Sequence, residues 1–293
     1  MSTLTTPKRT PTVIAPSGPV PTAMLPRRLV ALTGVLLAVS SAAGLLVDGL
    51  YDETEAVVAM FRGYDLVCLV VAVPLLGAAL LPRFRASSRA ALLRAGLLAF
   101  IAYDYAYYVF GMSFNELFLL HVATFVAAVG ALATTLAAVQ VPTLGAPPRS
   151  GRIAAVILGL LAASLAYLWI SGALNFALTG EMPDDGNLLV STIAITHLGY
   201  AMDLVFLVPA YIAGAVLLWR RRPWGTVLAV VVLVAGAVTQ LTYMGAIWFQ
   251  DRAEVAGAAA FDPFGPMLFV IYAIGAGLLL ASVRSQRDVV VLP

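Results

Sequence analysis

The sequence predicts an all-α integral membrane protein of eight transmembrane helices, arranged as a tandem duplication of a four-helix unit. Three observations carry that prediction. The 293-residue chain is 61% hydrophobic and only 11% charged, so most of its surface must face something other than water. Eight apolar runs are each long enough to cross a hydrocarbon core of about 30 Å as a helix. Every cluster of basic residues falls in alternate loops.

Residues 1–27 hold six prolines among Thr and Ser, and no apolar stretch precedes a small-residue cleavage site, so a disordered cytoplasmic tail is expected rather than a signal peptide. Spans follow at about 29–50, 56–81, 90–111, 116–139, 153–174, 188–219, 224–249 and 264–283. Lys8, Arg9, Arg27 and Arg28 precede the first. Arg83, Arg85, Arg89 and Arg94 lie around the second loop, Arg149 and Arg152 around the fourth, Arg220–Arg222 in the sixth, and Arg284 and Arg287 after the last span. The other loops carry Asp48, Asp52, Glu53 and Glu55, then Glu181, Asp184 and Asp185, then Asp251, Glu254 and Asp262, with Arg252 the one basic residue. Arginine-rich short loops stay on the cytoplasmic side, which predicts both termini cytoplasmic in a cell-membrane protein.

Arg28–Ser40 resembles Arg152–Ser164 at the same spacing. Gly63-Tyr64-Asp65 with Pro74 is echoed by Gly199-Tyr200, Asp203 and Pro209, although the Asp-to-Pro spacing differs. Four spans per copy is an even number, so the copies share an orientation and relate by an axis along the membrane normal. The expected organisation is residues 1–27 as a tail, 28–139 as the first repeat, 140–151 as a cytoplasmic linker, 152–284 as the second repeat and 285–293 as a cytoplasmic tail.

Charge inside a span is costly, which makes Asp65, Asp104 and Asp203 the first candidates for acid, base or cation-binding groups. Arg62 stands one turn before Asp65, the spacing of an ion pair. Thr192, Thr196, Tyr200 and Asp203 form a stripe on span six with His197 at its edge, and Ser164, Tyr167, Ser171 and Asn175 form another on span five. Tyr103, Tyr107 and Tyr108 of span three, His121 of span four, and Gln240 and Tyr243 of span seven complete the candidate substrate-binding set. Most of these lie in the half of the membrane away from the arginines, which predicts a polar cavity open to the extracytoplasmic side. The competing reading is structural: an Arg62–Asp65 pair that orders the bundle, and tyrosines of an interfacial aromatic belt.

Several chemistries lack their residues. The single lysine, Lys8, sits in the tail, which excludes retinal or pyridoxal held by a lysine within the membrane. Cys68 is the sole cysteine, and no third ligand is spaced near His121 and His197, so no metal and no cofactor is expected. Walker A, zincin and Gly-x-Ser-x-Gly motifs are missing, and the scattered arginines make no nucleic-acid surface.

Across Gly49–Tyr51, Arg62–Asp65, Tyr105–Phe118 and Asp203–Gly225, the chain resembles a family of prokaryotic eight-span membrane proteins. That resemblance implies the eight-span fold and brings no activity with it. The expected partners are the lipid bilayer and a small-molecule or lipid ligand in the cavity, with no oligomeric state predicted. Two functions stay open. One is a proton-coupled small-molecule transporter in which Asp65 and Asp203 bind a proton or cationic group, favoured by the duplication. The other is an intramembrane enzyme using carboxylate acid–base chemistry on a lipid or isoprenoid, favoured by the apolar cytoplasmic ends of the spans. A purely structural or assembly role is the third reading.

Overall fold

The computed structural model describes residues 24–84, 87–139, 148–181 and 189–283. Among these the secondary structure is helical without strands, in eight long helices: α1 (Met24–Leu46), α2 (Glu55–Ala79), α3 (Ser88–Phe110), α4 (Phe118–Ala137), α5 (Pro148–Thr179), α6 (Ile193–Trp219), α7 (Pro223–Arg252) and α8 (Phe264–Ser282). All but α3 are long and apolar enough to cross a membrane, the build of a multi-pass membrane protein. With 23 residues α3 has the length, about 34 Å at 1.5 Å per residue, but it carries Arg89, Arg94, Asp104 and four tyrosines. Its neighbours cover Asp104, Tyr105 and Tyr108. The outward faces of the other helices are apolar, with Val35, Val126, Leu160, Val205 and Val270 exposed as lipid-facing residues are.

Residues 1–23, 140–147 and 284–293, on which most of the tail and linker expectations rest, lie outside the described part, and α1 already begins at Met24. Side-chain contacts gather the arginines at one end of the bundle. Arg27 donates to the Leu80 carbonyl, Arg94 to the Ala79 carbonyl, Arg89 to the Val283 and Ala281 carbonyls, and the Arg152 guanidinium sits over the Trp219 ring. The start of α1 and the end of α8 therefore share this arginine end. At the opposite, acidic end, Arg62 pairs with Asp48, Glu53 accepts from the Ser113 backbone N–H, and the fully buried Gln250 ties α7 to the Ala56 and Val190 backbones.

Helix α7 is the centre of the bundle, and small residues bring its neighbours close. A Cβ on Gly63 would overlap the Ala246 backbone nitrogen where α2 crosses α7. Gly96 seats Val234 between α3 and α7, and Gly236 seats the Tyr272 ring between α7 and α8. Helices α1 and α4 close one flank against α2 and α3, while α5 closes the other against α6 and α8.

Two gaps interrupt this packing. Helix α3 meets α6 only near its own C-terminal end, where Gly111 lies against Leu198 and Ile195 and Tyr107 against Gly199; towards the arginine end the two separate. Helices α5 and α8 touch through Ile157 and Gly275 at the arginine end and part towards the acidic end.

Both α2 and α6 contain one π-helical turn, at Cys68–Ala72 and Asp203–Leu207, and each is followed after a single valine by a proline, Pro74 or Pro209. A helical proline lacks an N–H and crowds the carbonyl four residues back, so a widened turn before it accommodates both defects. Aligned on this device, Asp203 occupies the position of Cys68, not that of Asp65. The unequal Asp-to-Pro spacing in the sequence reflects a real displacement of about one turn between the two carboxylates.

Candidate functional site

The gap between α3 and α6 and the gap between α5 and α8 open into two joined cavities. The first is a chamber of about 350 Å³ towards the acidic end. Its wall takes Tyr103, Asp104 and Tyr107 from α3, Trp169 from α5, Thr196, Gly199 and Asp203 from α6, and Thr239, Gln240 and Tyr243 from α7. Ser191 and Asp262, beside the ends of α6 and α8, lie at its acidic-end rim. The second is a groove of about 550 Å³ lined by Ala99, Ala102 and Ala106 of α3, Phe125 and Val129 of α4, Phe206 and Ala210 of α6, and Val232 and Ala235 of α7. Phe110, Val129 and Phe206 at its edge are exposed, so the groove faces the surroundings sideways, between helices, at a depth where a membrane protein meets lipid. Tyr103, Asp203, Thr239 and Gln240 line both cavities and mark where they meet.

Asp203 sits at that junction because it opens the π-helical turn of α6. Tyr103 donates to its Oδ1 and the Trp169 indole N–H donates to Oδ2 at 2.7 Å, so each carboxylate oxygen is held from a different helix. The Tyr103 and Tyr107 hydroxyls are 3.0 Å apart, extending this network along the chamber wall. The Trp169 ring is in turn packed on Tyr200, with centroids 4.2 Å apart. Both donors to Asp203 are neutral, and among the described residues no Lys, Arg or His lines either cavity.

Asp65 belongs to a different environment. It is fully buried between α1, α2 and α3, its Oδ2 accepting from Tyr51 at 2.7 Å and its Oδ1 from Tyr108 at 3.0 Å, and it lines neither cavity. Burial, reinforced by the Asp65 carboxylate, pushes the Tyr51 phenol above its ordinary value. Cys68 donates to Asp104 Oδ2 at 3.4 Å, which places Asp104 between this enclosed layer and the chamber. His121 is buried in the same layer, with its ring 4.9 Å from Tyr108 and 5.9 Å from Tyr105.

The sequence-predicted set therefore divides. Asp104, Asp203, Tyr103, Tyr107, Gln240 and Tyr243 meet in the chamber. Asp65, Tyr108 and His121 are enclosed in the α1–α4 side, and Tyr200 backs Trp169 without lining either cavity. The expected Arg62–Asp65 pair does not form, because Arg62 turns to Asp48 at the acidic end while two tyrosines satisfy the Asp65 oxygens. Asp65 and Asp203 share no hydrogen-bond partner, so the single two-carboxylate site expected across the pseudo-axis is not built. His197 is exposed on α6, and Ser164, Tyr167 and Ser171 face outward on α5, because the face of α5 that packs on α6 and α8 carries Ala155, Leu158 and Ala162 instead.

No family model matches the chain, and neither a curated protein nor a solved structure matches it.

Trp169, Asp262 and Gln250 were not singled out from the sequence. Trp169 had a usable signal: it lies seventeen residues from Arg152, as Asp203 lies seventeen from Arg220, which sets the two at the same depth. Asp262 and Gln250 look like loop and helix-end residues; only the packed acidic end buries them, Asp262 accepting from the Phe264 N–H and Gln250 bridging two backbones.

Proposed function

We propose that this is an eight-span protein of the cell membrane, with α3 as its eighth span and its arginine end cytoplasmic, that binds and processes an amphiphile of the lipid or isoprenoid class. The polar end of the ligand occupies the chamber and its chain lies in the groove. The observation that carries this reading is the junction itself: a polar chamber and an apolar, laterally facing groove share Tyr103, Asp203 and Gln240. A water-soluble solute has no use for the groove, and a purely apolar ligand has none for the chamber.

Asp203 is the residue assigned to proton exchange with the polar end, since it stands at the junction and two neutral donors fix its orientation. Asp104 supports it from the next position on α3, and Asp65 braces the fold. Beside the groove and beyond it towards the arginine end, Leu97, Leu98, Phe100, Ile101, Val230 and Leu233 are wholly buried. This packing supports one-sided handling of a membrane ligand over transport across the bilayer. The shared π-helical turns and prolines of α2 and α6 support descent from a duplicated four-helix unit. In that unit the two halves have diverged, one closing its gap and the other keeping it as the site.

Mass spectrometry of lipids retained by the purified chain tests the reading. An amphiphile should copurify with the native protein and be lost from Ala102→Trp, whose added ring fills the groove while Asp203 is untouched. Retention of the same lipids in equal amounts by both proteins would sink the proposal.

A further inference from the structure

The chemistry of the chamber narrows the polar end of the ligand. Three carboxylates, Asp104, Asp203 and Asp262, line one half-open volume of about 350 Å³. All three are nearly inaccessible to solvent, and the groups that donate to them are a thiol, two phenols, an indole N–H and a backbone N–H, all neutral. Among the described residues the one ion pair is Arg62–Asp48, away from the chamber, so no protein cation balances these acids. A buried carboxylate is paired, bound to a cation or neutralised by a proton, and a chamber that offers three of them with no basic partner receives a cation more readily than an anion.

The shape of the wall says which kind of cation fits. Among the described residues no three His, Cys, Asp or Glu side chains converge closely enough to hold a metal ion. The carboxylates are instead spread around the chamber, with the rings of Tyr64, Tyr103, Tyr107, Trp169 and Tyr243 between them. Separated carboxylates and several aromatic faces suit a bulky, weakly hydrated cation, which gains from ring quadrupoles as well as charge and needs no short metal–oxygen bonds.

We infer that the chamber selects an ammonium group, so that the ligand is a cationic amphiphile: an alkylammonium head among Asp104, Asp203, Asp262 and the aromatic rings, with its chain in the groove. This rests on the amphiphile reading above. It disfavours phosphate or carboxylate heads, which would meet three carboxyl groups and, among the described lining residues, no basic side chain to receive them.

The test uses the full chain in dodecyl maltoside, with Trp219, Trp224 and Trp248 replaced by Phe so that emission reports Trp169. Hexadecyltrimethylammonium, hexadecanol and palmitate are titrated in turn. The ammonium probe should change the emission saturably and bind at least about tenfold tighter than the other two. Asp203→Asn should abolish that preference, and Asp104→Asn, which disturbs neither Tyr103 nor Trp169, should weaken it in the same direction. Saturable binding of hexadecanol equal to that of the ammonium probe would overturn the cationic inference and leave the amphiphile reading standing. Saturable binding of none of the three would remove both.

Discussion

Replacing Asp65 by leucine separates a bracing role from a ligand-binding one. Leucine keeps the branched outline of aspartate, with larger methyl groups for oxygens, but accepts no hydrogen bond, so the Tyr51 and Tyr108 hydroxyls, which donate to Asp65 at 2.7 and 3.0 Å in a wholly buried layer, lose their partner. An orphaned buried hydroxyl costs about 1–3 kcal/mol, so Asp65→Leu should destabilise the bundle by about 2–6 kcal/mol. The Tyr108 hydroxyl retains a long contact of 3.4 Å to the Phe61 carbonyl, which favours the lower part of that range. Adding Tyr51→Phe and Tyr108→Phe removes the orphans themselves, and the triple variant should return to within about 1–2 kcal/mol of the native protein, because the destabilisation comes from unpaired groups rather than from a lost attraction. Asp65→Asn keeps one acceptor oxygen, and a tyrosine hydroxyl can accept from its amide, so a loss of about 1 kcal/mol or less is expected. Reversible unfolding in mixed dodecyl sulfate and maltoside micelles, followed by far-UV circular dichroism, measures each step. An Asp65→Leu variant within about 0.5 kcal/mol of native, or a triple variant no better than the single, would refute the account of Asp65 as a residue held by its two phenols.

Two further outcomes follow from the same packing. Gly63→Ala puts a methyl group into the Ala246 backbone and should cost about 1–3 kcal/mol, whereas Gly199→Ala meets only the Tyr107 hydroxyl at 3.4 Å and should be nearly neutral; equal losses in the micelle unfolding assay would contradict the difference between the two crossings. Because Tyr51 is held above its ordinary value, the folded protein keeps a proton that the unfolded chain gives up near pH 10. Its contribution is therefore full below about pH 10 and falls as the pH rises beyond that. Unfolding at a series of alkaline pH values should show a shallower decline for Tyr51→Phe than for the native chain, and parallel curves would remove the linkage.

Span positions and the two ends of the bundle were legible in the sequence because both depend on local quantities. Hydropathy over about twenty residues sets a helix, and an arginine near a helix end sets which end it is, whatever the neighbours do. The expected spans at 56–81 and 264–283 differ from α2 and α8 by only a residue or two. Periodicity also showed that Thr196, Tyr200 and Asp203 share a face of α6, since a helix fixes that geometry internally. It could not show which stripe is turned inward. The α5 stripe of Ser164, Tyr167 and Ser171 has the same period and faces outward, because packing against α6 and α8 selects the smaller apolar face. Nor could it say that Arg62 reaches Asp48 in preference to Asp65, a choice made when Tyr51 and Tyr108 fold over the buried carboxylate. The repeated Gly-Tyr motifs of α2 and α6 are nearly alike in sequence, yet Gly63 lies in a close helix crossing and Gly199 on the wall of the chamber. That difference arises from how closely each helix approaches its neighbour, a distance set by residues scattered over α3, α6 and α7, and so it exists only once the bundle has closed.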